Sequence, residues 1–238
     1  MNKIANIQGI EFLYGSEMEL DERIDMVNAF NVDVNQRNEF NSFLNHIDGK
    51  STLLDVGCSY GMFGIAFTKK TGGTAYCFDG SLSVLIALTQ TIELNKLYNI
   101  RYNRMLIGDE NKLMGVTYDT HQSLINQQSS MQDIMLTIDT FCAINEVKPD
   151  CIKVDVEGFD YRVLLGAKES MKMYRPTLFM EVHPKFLGYY GNNIYDIINI
   201  ADELDYNIVD CNGDTIVDYK LHLENETSDS NRTVWIPK

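Results

Sequence analysis

The sequence predicts an α/β protein in which a mostly parallel sheet is flanked by helices. Three observations carry this prediction. From about residue 51, short β-rich apolar runs alternate with longer stretches of helical periodicity. An apolar strand at Thr52–Val56 turns through glycines directly into a helix. The length, 238 residues with 45% hydrophobic content, suits one buried core better than two.

Taken in order, Thr52–Val56 reads as the first strand, Met62–Lys70 as a helix and Thr74–Phe78 as the second strand. Leu82–Leu97 repeats its apolar residues at helical spacing, and Ile100–Ile107 is the third strand. The stretch Asp109–Asp133 is rich in Gln, Ser and Asn and weakly periodic, which predicts a hairpin or a mobile excursion, with His121 facing solvent. The α/β pattern resumes with a strand at Ile134–Ile138 and a short helix at Asp139–Glu146. After the Pro149-Asp150 turn come a strand at Cys151–Val156, a helix at Tyr161–Tyr174 and a strand at Thr177–Val182. Ile194–Leu204 is the last helix, and strands at Asn207–Asp210 and Thr233–Ile236 suit a closing antiparallel pair. Residues 1–50 carry possible helices around Glu19–Phe30 and Gln36–Ile47 but no strand signal strong enough to join the sheet. They are read as an N-terminal helical cap of the same domain, with residues 51–238 forming its main body.

A formal charge of -14 argues against nucleic acid as a partner, because binders of polyanions carry a basic stripe that releases counterions. Lys69-Lys70 and Arg101 with Arg104 lie among acids and read as solvated faces. Five cysteines, Cys58, Cys77, Cys142, Cys151 and Cys211, are widely spaced without a CxxC pair, so reduced buried thiols are expected rather than zinc. Charges interrupt the apolar residues of the N-terminus, and no apolar run approaches the ~20 residues that span a bilayer. A cytoplasmic protein with no membrane partner is expected. A homodimer is compatible with the sequence.

Leu53-Leu54-Asp55-Val56-Gly57-Cys58-Ser59-Tyr60-Gly61-Met62-Phe63-Gly64 is the most informative stretch. Glycines in such a turn let a ligand approach the backbone. A dinucleotide site has G-x-G-x-x-G with the pyrophosphate on the helix N-terminus, whereas here the spacing is G-x-x-x-G-x-x-G and Ser59 stands at the usual second glycine. Asp55, two residues before Gly57, is placed to hold the ammonium of an amino acid, so Asp55, Gly57, Ser59 and Gly61 suit a cationic cofactor with a methionine tail. Other nucleotide ligands and a plain tight turn are the alternatives. The second strand leads to Asp79-Gly80, about 20 residues on, where sheets of this class place the acid for ribose hydroxyls. A turn or helix-cap role competes for Asp79. Asp109, after the third strand, would face an adenine or simply make a turn.

Residues from about 51 to 185 resemble the FkbM family of methyltransferases. The resemblance rests on Asp150-Cys151-Ile152-Lys153-Val154-Asp155-Val156-Glu157-Gly158-Phe159-Asp160 with Val163-Leu164-Leu165-Gly166-Ala167, which is similar to the family's D-x-I-K-x-D-V-E-G-x-E segment and following helix. Leu136-Thr137-Ile138-Asp139 and Met180-Glu181-Val182-His183 add to it. Ser59 stands where many members have Asn, Phe78-Asp79-Gly80 where F-E-P is commoner, and Asp160 where Glu is. The resemblance implies a Rossmann-like class I methyltransferase fold with a mostly parallel seven-stranded sheet, and transfer of a methyl group from S-adenosylmethionine to an oxygen, commonly of a sugar, a polyketide or another secondary metabolite. An acceptor in surface-glycan or capsule synthesis, a sugar or nucleotide-sugar, follows from the habit of the family and from no residue.

A sulfonium methyl is electrophilic unaided, so such an enzyme must align the acceptor oxygen and remove its proton. Candidate bases lie at the carboxyl ends of two strands: Asp155 and Glu157 at one, Glu181 and His183 at the other. His183 is favoured on its titration range, against the alternative of a strand-terminal histidine bonded to backbone. Asp155 and Glu157 bind acceptor or cofactor or, in a less favoured reading, a divalent metal. Lys153 reads as structural, and Tyr189-Tyr190 either line an acceptor pocket or lie on the surface. The competing functions are N-methylation, a nicotinamide oxidoreductase and a cofactor-binding protein without catalysis.

Overall fold

A computed structural model describes residues 3–14, 20–118, 123–125, 132–225 and 230–238. The N-terminus begins with a hairpin, β1 (Lys3–Ile7) and β2 (Ile10–Tyr14), paired from Lys3 with Tyr14 to Ile7 with Ile10. Gln8 and Gly9 both take positive φ (48° and 88°), the geometry a two-residue hairpin turn requires. Sequence reading missed this hairpin because Gln-Gly is a weaker turn signal than Asn-Gly. Two helices follow, α1 (Leu20–Val32) and α2 (Val34–His46), the second capped by Asp33 accepting from the Gln36 N–H.

The main sheet and its helices then run β3 (Thr52–Val56), α3 (Met62–Thr71), β4 (Thr74–Asp79), α4 (Leu82–Asn95) and β5 (Ile100–Arg104). An excursion holds β6 (Leu106–Ile107), β7 (Lys112–Tyr118), β8 (Ser123–Ile125) and β9 (Gln132–Leu136). The chain returns through α5 (Ile138–Asn145), β10 (Cys151–Val154), α6 (Asp160–Leu165), α7 (Lys168–Tyr174) and β11 (Thr177–Val182). It closes with α8 (Pro184–Leu187), a 3-10 turn at Gly188–Tyr190, α9 (Ile194–Glu203), β12 (Tyr206–Asp210), α10 (Tyr219–Asn225) and β13 (Asn231–Pro237). Among the described residues no helix is long and apolar enough to cross a membrane.

The seven-stranded sheet has the order β12-β13-β11-β10-β3-β4-β5, with β13 antiparallel to both neighbours and the other pairings parallel. The predicted sheet and its closing antiparallel pair are therefore present. Side-chain alternation splits the core in two. Leu53, Cys151, Phe179 and Val234 pack with Phe40 and Phe43 of α2 and with α3 and α4. Leu54, Ile152, Leu178 and Trp235 pack on the opposite face with residues of α5, α6, α7 and α9. Phe43 packs edge-on against Phe179 (4.8 Å) and Phe63 (5.0 Å), which fastens α2 to the sheet.

Three predicted elements differ. The strand at Ile100–Ile107 is two: β5 stays in the main sheet, while β6 pairs with β9. Arg104 makes a bidentate pair with Asp133 (3.0 and 2.9 Å) at this divergence. The strand predicted at Ile134–Ile138 is β9, which belongs to a separate sheet of order β6-β9-β7-β8, so the excursion contains a hairpin; His121 lies outside the described residues. The helix predicted at Tyr161–Tyr174 is α6 and α7, because the Asp139 carboxylate accepts from the N–H groups of Glu169 and Ser170 and starts a new helix there.

Strand order reverses between β3 and β10, since β3 is followed on one side by β4 and flanked on the other by β10. Parallel sheets open a ligand crevice at the carboxyl ends of strands at such a point. The loops after β3 and β10 meet there with no room to spare. A Cβ on Gly57 would lie 1.8 Å from the Asp155 carbonyl oxygen, and Gly57 has φ +76°. Gly72 shares the positive φ (+73°) but has nothing within 4 Å of its Cβ position. Gly72→Ala should therefore cost about 1 kcal/mol, the strain alone, and Gly57→Ala the strain plus overpacking of about 1–3 kcal/mol. Urea unfolding of the two variants checks this; equal costs would show that the collision is relieved freely.

Candidate active site

The crevice is a cavity of about 460 Å³. On one side Gly57, Ser59, Asp79 and Gly80 line it with an apolar slot of Phe78, Met105, Leu106 and Ile107. On the other stand Glu39, Asp155, Glu157, Glu181 and Arg232, under the aromatic rings of Phe30, Phe63, Phe159 and Tyr190.

The glycine loop is held by its own hydrogen bonds. Gly57 and Cys58 donate N–H to the Phe78 carbonyl (2.9 and 3.1 Å), and Gly61 donates to Cys58 (2.8 Å). Ser59 donates to Asp79 Oδ2 (3.1 Å), while Asp79 Oδ1 accepts from Ser81 N–H (2.9 Å). Ser59 takes φ 46°, a left-handed conformation that Asn tolerates better than most residues, which gives a physical reason for Asn at this place in similar sequences. Asp79 is pushed above the usual carboxylate range by burial, against the pull of these backbone donors.

Four predicted residues are placed elsewhere than expected. Asp55 is 1% exposed and does not line the cavity; its Oδ2 accepts from Gly64 N–H (3.1 Å) in the first turn of α3. Gly61 is also off the wall, its Cβ direction filled by Leu88. Asp109 is turned to Arg162 (2.7 Å) and does not line the cavity. His183, 5% exposed, stands behind Glu157 and not on the wall.

Burial pushes the Asp55 carboxyl up to about 7, opposed mainly by Lys153. The folded carboxyl therefore keeps its proton to about pH 7, whereas an unfolded one releases it near 3.8. Between those values the folded state binds more protons, so stability falls as pH rises, by up to about 1.4 kcal/mol per pH unit from one group. Asp55→Asn should flatten that slope between pH 4 and 7 in urea titrations. An unchanged slope would assign it to other carboxyls, such as Asp160, which burial also pushes to about 7.

The acidic wall is built from three strands and a helix. β10 ends at Val154, Glu157 and Gly158 take positive φ (52° and 91°), and Asp155 and Glu157 both reach the cavity. Behind them Lys153, 1% exposed, pairs with Glu39 of α2 (3.0 Å), Asp155 (3.7 Å) and Glu181 of β11 (3.8 Å), and lies 5.0 Å over the Phe63 ring. Arg232 of β13 pairs with Glu39 (2.9 Å) and with Glu181. Lys153, Glu39, Arg232 and Glu181 thus close a ring of alternating charge, which Asp155 joins through Lys153. Burial works against the Lys153 ammonium, but Glu39, Asp155 and Glu181 outweigh it and raise its pKa. Burial raises Asp155, Glu157 and Glu181, Asp155 and Glu181 despite Lys153 and Glu157 despite Arg232.

His183 Nε2 lies 3.5 Å from Glu157 Oε2 and 3.7 Å from Glu181 Oε1, and its ring stacks on Phe186 (5.9 Å, 8°). Burial lowers its pKa more than Glu181 raises it, so the imidazole is neutral near pH 7. Asp155, Glu181 and His183 present ligand-type atoms within 4.8 Å of one another. Lys153 and Arg232 already supply these carboxylates with the positive charge that a divalent cation would bring. Sequence reading missed Glu39 and Arg232 and took Lys153 as structural. Glu39 carried a weak signal, an acid one turn before Phe43 on the apolar face of a helix. Tyr190 lines the cavity, while Tyr189 is 79% exposed.

Residues 82–208, more than half of the chain, match the family described as the methyltransferase FkbM domain. No curated protein matches the chain. Among solved structures, methyltransferase FkbM from Methylobacillus flagellatus KT is similar with a TM-score of 0.52 at 16% identity, over 79% of this chain and 43% of that one. This chain thus spans less than half of that protein's length. The SAM-dependent methyltransferase from Agrobacterium tumefaciens is similar with a TM-score of 0.53 at 11% identity, over 100% of this chain and 70% of that one. At these identities the structural likeness shows the fold; the family match covers α4 to β12 and includes the Asp150–Asp160 segment with its lysine and acids. The chain belongs to the FkbM family of S-adenosylmethionine-dependent methyltransferases.

Proposed function

We propose that this protein is an O-methyltransferase acting on a hydroxyl of a small molecule, a sugar in the first instance, with Glu157 as the base. The observation that carries the reading is the left-handed turn at Glu157-Gly158, which brings a half-buried carboxylate to the cavity wall beside a neutral histidine. A positioned base is what an alcohol acceptor needs and an amine acceptor needs less. Residues 1–50 are read as a cap belonging to the same domain, since Phe30, Gln36 and Glu39 complete the cavity wall. The acid-rich wall also argues against nucleic acid as the acceptor.

The residues present fit S-adenosylmethionine. Asp79 suits a ribose, the slot of Phe78, Met105, Leu106 and Ile107 an adenine, and Asp155 an ammonium, with Gly57 and Gly80 on the same wall. In this reading Asp155 takes the role expected of Asp55. When bound, S-adenosylmethionine supplies an electrophilic methyl group on a sulfonium. The chain's part is to hold the acceptor in line and exclude water, which is worth about 7–11 kcal/mol. Glu157 takes the hydroxyl proton, and His183 Nε2, 3.5 Å behind it, is a second station for that proton.

The loop argues against the nicotinamide alternative, because the N–H groups of Gly57, Cys58, Ser59 and Gly61 are donated within the protein, which leaves them committed before any pyrophosphate arrives. Calorimetric titration with S-adenosylmethionine, S-adenosylhomocysteine and NAD tests the reading. Micromolar binding of the first two without NAD is expected. Binding of NAD alone would overturn it, and turnover of amines in preference to alcohols would move it to N-methylation.

A further inference from the structure

We propose that Gln36 reads a second hydroxyl of the acceptor, so that the substrate is a polyol and not a simple mono-alcohol. The inference rests on the O-methyltransferase reading and deepens it by naming a residue that sets acceptor specificity. Gln36 is half-buried and lines the cavity. It stands one turn before Glu39 on α2, and residues three apart share a helix face. Glu39 is tied to Lys153 (3.0 Å) and Arg232 (2.9 Å), and Lys153 pairs in turn with Asp155 and Glu181. These ties hold Gln36 at the acidic end of the cavity, where Glu157 also stands.

The start of α2 explains why this side chain is available to a ligand. Asp33 caps the helix and accepts from the Gln36 N–H (2.9 Å), which puts Gln36 at the third helical position. A glutamine there ordinarily folds back onto the backbone N–H of the cap residue, as in a capping box. Here the Asp33 N–H is already donated to the Ala29 carbonyl of α1 (2.9 Å), because only Asp33 separates the two helices. The Gln36 side chain makes no hydrogen bond among the described residues, and it is the one side-chain amide among them that lines the cavity. An amide presents donor and acceptor together, the complement of a hydroxyl, which is itself both. An ionised carboxylate only accepts and an arginine only donates, so the acids of this wall and Arg232 do not duplicate that pairing.

The test supplies the full chain with S-adenosylmethionine and follows release of S-adenosylhomocysteine. The acceptors are methyl glucoside, methyl galactoside and methyl mannoside, the monodeoxy derivatives of each, methyl glucosaminide and cyclohexanol. The wild type should use at least one glycoside, and loss of one hydroxyl other than the methylated one should raise KM by about 3–30-fold, the worth of one or two neutral hydrogen bonds. Gln36→Met keeps the length of the side chain and should raise KM for the full glycoside by the same factor, with kcat nearly unchanged. It should also be indifferent to the deoxygenation that the wild type feels, which a mere displacement of the cap would not produce. Its affinity for S-adenosylhomocysteine, taken by calorimetry, should equal that of the wild type. Gln36→Ala carries the same expectations and stands in if the methionine variant does not fold. Wild-type use of cyclohexanol as efficient as of any glycoside, or of no glycoside at all, would overturn the proposal. So would a Gln36 variant that keeps every wild-type deoxygenation penalty, or one that binds S-adenosylhomocysteine more weakly, since the residue would then serve the cofactor. Failure of the wild type to bind S-adenosylhomocysteine sinks the methyltransferase reading itself, and methylation at the amine of methyl glucosaminide alone sinks the O-methyltransferase reading, which keeps these failures apart.

Discussion

Glu157→Gln lowers the rate of methyl transfer by about 10²–10⁴-fold and leaves the affinity for S-adenosylhomocysteine nearly unchanged, if Glu157 is the base. The amide keeps the size of the side chain and loses the proton acceptor. Burial has already raised the Glu157 pKa, with Glu181 adding to the shift and Arg232 opposing it, so this carboxylate is a better base than an exposed one. A base acts when deprotonated, so the wild-type rate should rise with pH through the raised Glu157 pKa, and the variant should lose that limb. His183→Asn should slow the reaction less, because His183 does not line the cavity and reaches the acceptor only through the carboxylates of Glu157 and Glu181. Rates from release of S-adenosylhomocysteine, taken across pH with one accepted alcohol, check both variants. A larger loss in His183→Asn than in Glu157→Gln would return the base to the histidine.

The comparison with His183 shows what a sequence can and cannot carry. The glycine loop, Asp79 and the Asp150–Asp160 segment are contiguous in sequence, and local spacing placed them at the carboxyl ends of β3, β4 and β10. Which acid faces the ligand depends on a turn of φ at single residues. Asp55 points into the first turn of α3 because it is still in the strand, while Asp155 and Glu157 reach the cavity because β10 has ended. Glu39 and Arg232 lie 193 positions apart and meet only because α2 packs beside β13, a tertiary contact that no periodicity encodes. The hairpin at Ile7–Ile10 failed for a smaller reason, the wrong residue in the first turn position.

Lys153 tests whether this long-range ring holds the cap to the sheet. Lys153→Met keeps most of the volume against Phe63 but leaves Glu39, Asp155 and Glu181 without their shared cation. Removing one partner of a buried ion pair costs about 3–5 kcal/mol, since the other charge stays desolvated. The cost should depend on pH with a definite sign. Lys153 stays charged across the working range, because its carboxylate partners raise its pKa. Without it those carboxyls are held protonated to still higher pH, so the variant binds more protons than the wild type, and its deficit is largest at alkaline pH and shrinks on acidification. Urea unfolding at pH 5.5 and 8 measures this. Adding Glu39→Gln should recover part of the loss, because it removes one stranded carboxylate, and the non-additivity gives the strength of the Lys153–Glu39 link. Equal destabilisation at the two pH values, with additive effects of the two substitutions, would mean that Lys153 contributes packing alone. The ring would then not be what fastens α2, and with it Glu39, over the cavity.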